Sequence, residues 1–154
     1  MSIIKTNIKE LLEKDGTYVG LTEGVSMRPM IVSGRDVVVI EKKTQRLKEM
    51  DVALYMRKDK DYVLHRVIKV VEKGYIIRGD NCYSDERVKE EDVIGVLTQY
   101  FHKETPVDLT SKKYLRYVKR RIKNYKIRRF FVLTKVKIYR IAKRIIKGKK
   151  NERK

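Results

Sequence analysis

Apolar residues at Ile3, Ile4, Ile8, Leu11 and Leu12 recur at helical spacing, and Asp15-Gly16 ends the run, so the pattern predicts a short amphipathic helix over residues 3–14. The periodicity then changes. "TYVGLTEG", "DVVVIEKK", "DVALYMRK", "DYVLHRVIKVV", "GYIIRGD" and "DVIGVLTQYF" are short β-branched or aromatic runs bounded by Gly, Asp or Lys. Six such runs predict a compact, mostly β domain with short loops, preceded by the N-terminal helix. Thr105-Pro106 closes this region at residue 106, and no Gly or Pro follows through residue 147, so residues 107–154 are expected to turn helical. Leu115, Val118, Ile122 and Tyr125 mark one apolar stripe there; Ile138, Ile141, Ala142, Ile145 and Ile146 mark another. Between them "RRFFVLTKV" blurs the register. Two basic amphipathic helices, or one bent helix, running into a frayed "GKKNERK" end satisfy this pattern.

Charge sharpens that division. Residues 107–154 hold twenty Lys and Arg against Asp108 and Glu152, whereas residues 1–106 hold nineteen against eighteen acids. The net +19 of the 154-residue chain is therefore a neutral body with a strongly basic extension. The length suits one domain with its own core. Cys82 is the sole cysteine, which excludes an internal disulfide and fits a reducing compartment; with two histidines besides, a structural zinc site is undersupplied, and no metal or cofactor is expected. Lys5, Lys9, Glu10, Glu13, Lys14 and Asp15 interrupt the first 25 residues, leaving no apolar run of signal or spanning length there. A cytoplasmic protein is the expectation.

Candidate chemistry centres on "EGVSMRPM". Gly24 lets backbone amides approach a carbonyl oxygen, Pro29 stiffens the exit, and Ser26 lies between them. A serine in such a turn is ordinarily structural. It becomes a nucleophile only with a base to take its proton and donors to hold an oxyanion. Of the two histidines, His102 lies beside the basic extension, and His65 in "YVLHRVIKV" would share a strand face with Val63, Val67 and Lys69. An imidazole on an apolar strand face is often a core residue with a satisfied hydrogen bond, which is the competing reading. "RGDNCYSDE" supplies Asp80, Asp85 and Glu86, any of which could accept the second ring N–H of His65, although Gly-Asp-Asn is also an ordinary turn signal.

Taken in order, "GVSMRPM", "SGRDVVVI", "MDVALY", "VLHRVIKV", "IIRGDN" and "DVIGVL" closely resemble the catalytic domain of the signal peptidase I superfamily, over residues 19–97. The bacterial branch of that family has lysine before Arg-Val-Ile; the archaeal and endoplasmic-reticulum branch has histidine. The resemblance therefore implies a signal-peptidase-like β fold, shared with LexA-like repressors, and a serine endopeptidase using Ser26 and His65. An acid near Gly-Asp-Asn would be the third member: Asp85 is the leading candidate, with Asp80 and Glu86 open. The Ser26 amide and the Gly24 region are the expected oxyanion donors. Signal peptidases carry an anchoring helix before the serine, and none is expected here. It contains neither Ala-Gly nor Cys-Gly, so self-cleavage in the LexA manner is not expected. A polypeptide cut in trans is the implied substrate.

Three uses compete for the basic extension. An amphipathic helix with cations on one face and Phe, Tyr and Ile on the other suits the interface of an anionic membrane, through residues 112–150. Nucleic acid could be held by the same cations, with Tyr114, Tyr117, Tyr125 and Tyr139 stacking on bases. The helices could also simply cover the β domain. A non-catalytic peptidase fold whose extension binds membrane or nucleic acid is the alternative to the enzyme.

Overall fold

The computed structural model describes residues 7–57 and 61–151. Residues 3–6 of the expected first helix lie outside them. The remainder of that helix is α1, Ile8–Asp15, which ends where Gly16 takes a left-handed φ of 72° and returns its N–H to the Leu12 carbonyl. Leu12 is its buried anchor.

The strands are β1 Thr17–Leu21, β2 Val37–Lys42, β3 Val52–Met56, β4 Tyr62–Val71, β5 Gly74–Arg78, β6 Glu86–Lys89, β7 Val93–His102 and β8 Thr105–Val107. They form one antiparallel sheet in the order β1-β2-β7-β3-β4-β5-β6, with β8 added to β7. The expected mostly β architecture with flanking helices is thus present. All six strand-like runs contribute a strand, and β6 and β8 are additions. Both were hidden by composition: "ERVK" is three-quarters charged, and "TPV" carries the proline that marked an ending.

The central strands are buried on both faces. In β3, Val52 and Leu54 enter a cluster with Leu12, Met27, Met30, Val38 and Leu97, while Ala53 and Tyr55 enter a second with Val67, Tyr75, Ile77 and Val93. Strand alternation divides the residues between the two cores. On β4 the expected face holds as far as Val67. The ladder with β5 then slips between Val67 and Lys69, after which Val70 joins the Val67 core and Lys69 is exposed. One extra residue reverses which side chains share a face.

The basic region forms two helices, α2 Lys112–Lys123 and α3 Tyr125–Asn151, so helix persists to Asn151 where fraying was expected from residue 148. The chain separates into two units after Val118, whereas residue 106 was the expected boundary. The first turns of α2 belong to the β unit because Tyr114 and Tyr117 pack on its first core and Val118 is fully buried. The second unit holds the end of α2 and all of α3, on which Ile127, Phe130, Phe131, Ile138 and Ile141 are each about half exposed or more. Structural cover therefore describes the start of α2. Among the described residues, no helix is long and apolar enough to cross a membrane.

Candidate active site

A cavity of about 440 Å³ lies in the β unit, lined among others by Gly24, Ser26, Leu64, His65, Cys82 and Glu86. The serine turn is set by its flanks. Met27 and Met30 are buried in the first core, and the turn closes on itself through Arg28 N–H to Val25 O and Ile31 N–H to Met27 O. The Arg28–Pro29 peptide is cis. Farther on, Val32 N–H donates to the Asp36 carboxylate, which Arg35 also grips and holds at a pKa of about 2. Ser26 is left half-buried at the cavity wall, and Gly24, at φ 84°, lies beside it.

Each residue of Gly-Asp-Asn has its own task. Asn81 donates its backbone N–H to Ser26 O at 2.7 Å and its side-chain amide to Val25 O at 3.2 Å, tying the serine turn to the end of β5. Gly79 lets three groups converge. A Cβ on it would lie 2.7 Å from Ser26 O, 2.8 Å from Cys82 Sγ and 2.9 Å from His65 Nε2. Asp80 belongs to a different network, described below.

His65 is 3% exposed and enters from β4, opposite Ala53 of β3. Its Nδ1 lies 3.2 Å from the Tyr55 hydroxyl and 3.6 Å from Glu86 Oε1. Tyr55 donates its proton to Glu86 Oε2 at 2.9 Å, so its oxygen is left to accept from His65 Nδ1–H. That assigns the neutral tautomer with the lone pair on Nε2. This nitrogen is buried and has no hydrogen-bond partner among the described residues. Burial is the main cause holding the imidazole pKa below its ordinary value, although Glu86 pulls the other way, so His65 is neutral at pH 7. Glu86 shows the reverse balance. Its partial burial opposes ionisation, but hydrogen bonds from Arg57 and Tyr55 outweigh it and keep the carboxyl below the usual range.

The three candidate acids go to different places. Asp85 points to Arg78, 2.8 Å from Nη1, and is absent from the cavity wall; Glu86, the next residue, is the acid at His65. Because β6 begins at Glu86, the turn residue before it and the first strand residue are aimed at different neighbours. Asp80 is buried in a two-pronged pair with Arg66, both contacts 2.8 Å, and accepts a further bond from Tyr117. Arg66 also donates to Met50 O and Tyr114 Oη. The arginine following the histidine therefore faces the opposite core, where it clamps the turn that carries Gly79 and Asn81. His102, beside Arg35 and Asp36, is outside the cavity.

No protein-family model matches the chain, and no curated protein matches it in sequence. The geometry must stand by itself. It brings together Ser26, His65 and the Gly24 turn, adds Glu86, and diverts Asp80 and Asp85. The sequence hardly marks Tyr55 and Arg57. Their only signal was a polar tip on a buried strand and a cation just after it, which becomes meaningful once β3 is known to pair with β4. Among the described residues, no group of His, Cys, Asp and Glu side chains is arranged to hold a metal ion.

Proposed function

We propose that the protein is a serine endopeptidase of the signal peptidase superfamily, histidine-base branch, cleaving another polypeptide through an acyl-enzyme. The observation that carries this reading is the asymmetry of His65: Nδ1 is held by Tyr55 beside Glu86, while Nε2 is buried without a partner next to the serine turn. A core histidine would ordinarily satisfy both nitrogens.

In this mechanism Ser26 Oγ attacks the scissile carbonyl carbon as Nε2 takes the hydroxyl proton. The imidazolium then protonates the departing amine nitrogen, which leaves the acyl chain on Ser26. Water repeats the sequence, giving its proton to Nε2 while its oxygen attacks the ester, and the serine is restored. Glu86, 3.6 Å from Nδ1 and bridged to it by Tyr55, stabilises the transient imidazolium. Amides of the Gly24–Ser26 turn are the oxyanion donors in this scheme. No bond from Ser26 Oγ to Nε2 forms in the described state; such contacts commonly tighten when substrate enters.

A polypeptide substrate is supported by the edge of β4. Pairing with β5 begins at Arg66, so Tyr62, Val63 and Leu64, which line the cavity, have no β5 neighbour. An extended chain can add to such an edge by backbone hydrogen bonds. The lone Cys82 in the cavity fits a reducing compartment, and we place the reaction in the cytoplasm.

The test is labelling by a serine-directed fluorophosphonate, together with digestion of a peptide library. The parent should label and cut, and Ser26→Ala and His65→Ala should each lose both while melting as the parent does. Alanine variants that label or cut like the parent would remove Ser26 and His65 from the chemistry, and a parent that neither labels nor cuts would leave a non-catalytic module as the better reading.

A further inference from the structure

The second unit carries a feature the peptidase chemistry does not use. On α3, Ile127 is followed by Phe130, Phe131, Thr134, Ile138 and Ile141, which stand three, four, seven, eleven and fourteen residues on. At about 100° per residue these fall within one third of the helix circumference. The stripe is uncovered: Ile127 is 59% exposed, Phe130 65%, Phe131 61% and Ile138 61%. Lys126 and Lys137 border it on one side, Arg128 and Lys135 on the other. Residues 125–151 contain eleven Lys and Arg and no acid.

We infer that α3 lies flat on an anionic lipid bilayer, its Ile and Phe stripe entering the acyl boundary and its flanking cations meeting the headgroups. The 27 residues of α3 make a rod about 40 Å long, and its charge on every turn keeps it in the plane of the interface. Lys and Arg at the border of an apolar stripe can lay their aliphatic stems along it and still reach phosphate. Charge selects the occupant. A second copy packed on the stripe would bring together two sets of eleven cations with no acid to offset them. A nucleic acid would neutralise the cations but leave the isoleucines and phenylalanines in water. An anionic bilayer takes up both the stripe and the cations that flank it, while Leu133, Val136 and Tyr139 stand on the remaining face, and this docking does not depend on the peptidase reading.

Co-sedimentation of the full chain with phosphatidylcholine vesicles, with and without phosphatidylglycerol, tests the inference. The parent should bind the anionic vesicles at least ~10-fold more tightly than the neutral ones. Phe130→Ser, Phe131→Ser and Ile138→Ser combined, which keep every charge, should weaken that binding at least ~10-fold. Triple-variant binding equal to the parent's would overturn the inference, because adhesion would then be electrostatic alone. Duplex DNA that strips the parent from vesicles at equal phosphate would overturn it in favour of nucleic acid. A parent oligomer that the triple variant renders monomeric would assign the stripe to a second copy. Should the triple variant fail to fold, Phe131→Trp, the only tryptophan in the chain, reads the same stripe. Its emission should shift to the blue with anionic vesicles, and an unchanged spectrum overturns the inference.

Discussion

The Tyr55 hydroxyl stands 3.2 Å from His65 Nδ1 and donates to Glu86 at 2.9 Å, so the proposed base and its acid are joined through a phenol on the neighbouring strand. Removing the hydroxyl leaves Nδ1–H with only the longer approach to Glu86. Tyr55→Phe should lower kcat/KM about 10-fold, against about 10²-fold or more for His65→Ala. Because the ring is 2% exposed and retained in phenylalanine, the melting temperature should change far less than the rate. A Tyr55→Phe variant with parental kinetics would remove the tyrosine from the proposed mechanism.

Asp85 and Glu86 are adjacent in sequence and differ in partner. Glu86→Gln should depress peptide cleavage about 10-fold or more by withdrawing the charge proposed to steady the imidazolium. Asp85→Asn breaks only the contact to Arg78, made by a carboxylate 45% exposed, and should leave turnover near parental with a stability change of about 1 kcal/mol or less. Steady-state kinetics of the two variants in parallel decide the assignment; the reverse order of effects would restore Asp85.

Acid should act on both rate and stability through His65. Its folded pKa is depressed, chiefly by burial, so the basic form of Nε2 persists below the ordinary histidine value of about 6.5. The limb of kcat/KM that rises with pH should have its midpoint under that value and be flat above it. For stability, the unfolded chain gains a proton at His65 as pH falls through about 6.5 while the native chain does not, so this contribution is full above that pH and declines below it. Glu86, also depressed, should withdraw its own contribution at lower pH still. Denaturant titrations across this range measure the decline, and stability rising with acid would contradict it.

Gly79 is a packing requirement with a kinetic consequence. The added Cβ of Gly79→Ala would come within 3 Å of a backbone oxygen of the serine turn as well as of His65 Nε2. The turn and the imidazole must part. Overpacking of this kind costs about 1–3 kcal/mol, and a displacement approaching an ångström at the reacting groups can cost ~10²-fold in rate. Chemical denaturation and kinetics should therefore both change, the rate disproportionately. A Gly79→Ala protein with parental turnover would show that the serine turn and His65 need not be so close.

The sequence alone determined the period of each element and the division of charge. Short apolar runs such as "DVALYM" and "DYVLHRV", led by Asp and rich in β-branched and aromatic residues, specify strands before any partner is known, and a Gly after Asp15 stops α1 by backbone freedom alone. It also determined that a serine, a histidine and a Gly-Asp-Asn turn follow one another along the chain. Strand register, bulges and side-chain direction were decided only in three dimensions, since each depends on which strand lies alongside. Pairing of β3 with β4 brings Tyr55 to His65, the start of β6 at Glu86 turns that residue inward while Asp85 goes to Arg78, and a slip after Val67 sends Lys69 to the surface. A local pattern records how often a side chain faces a core; which partner it meets there is a property of residues distant in the chain.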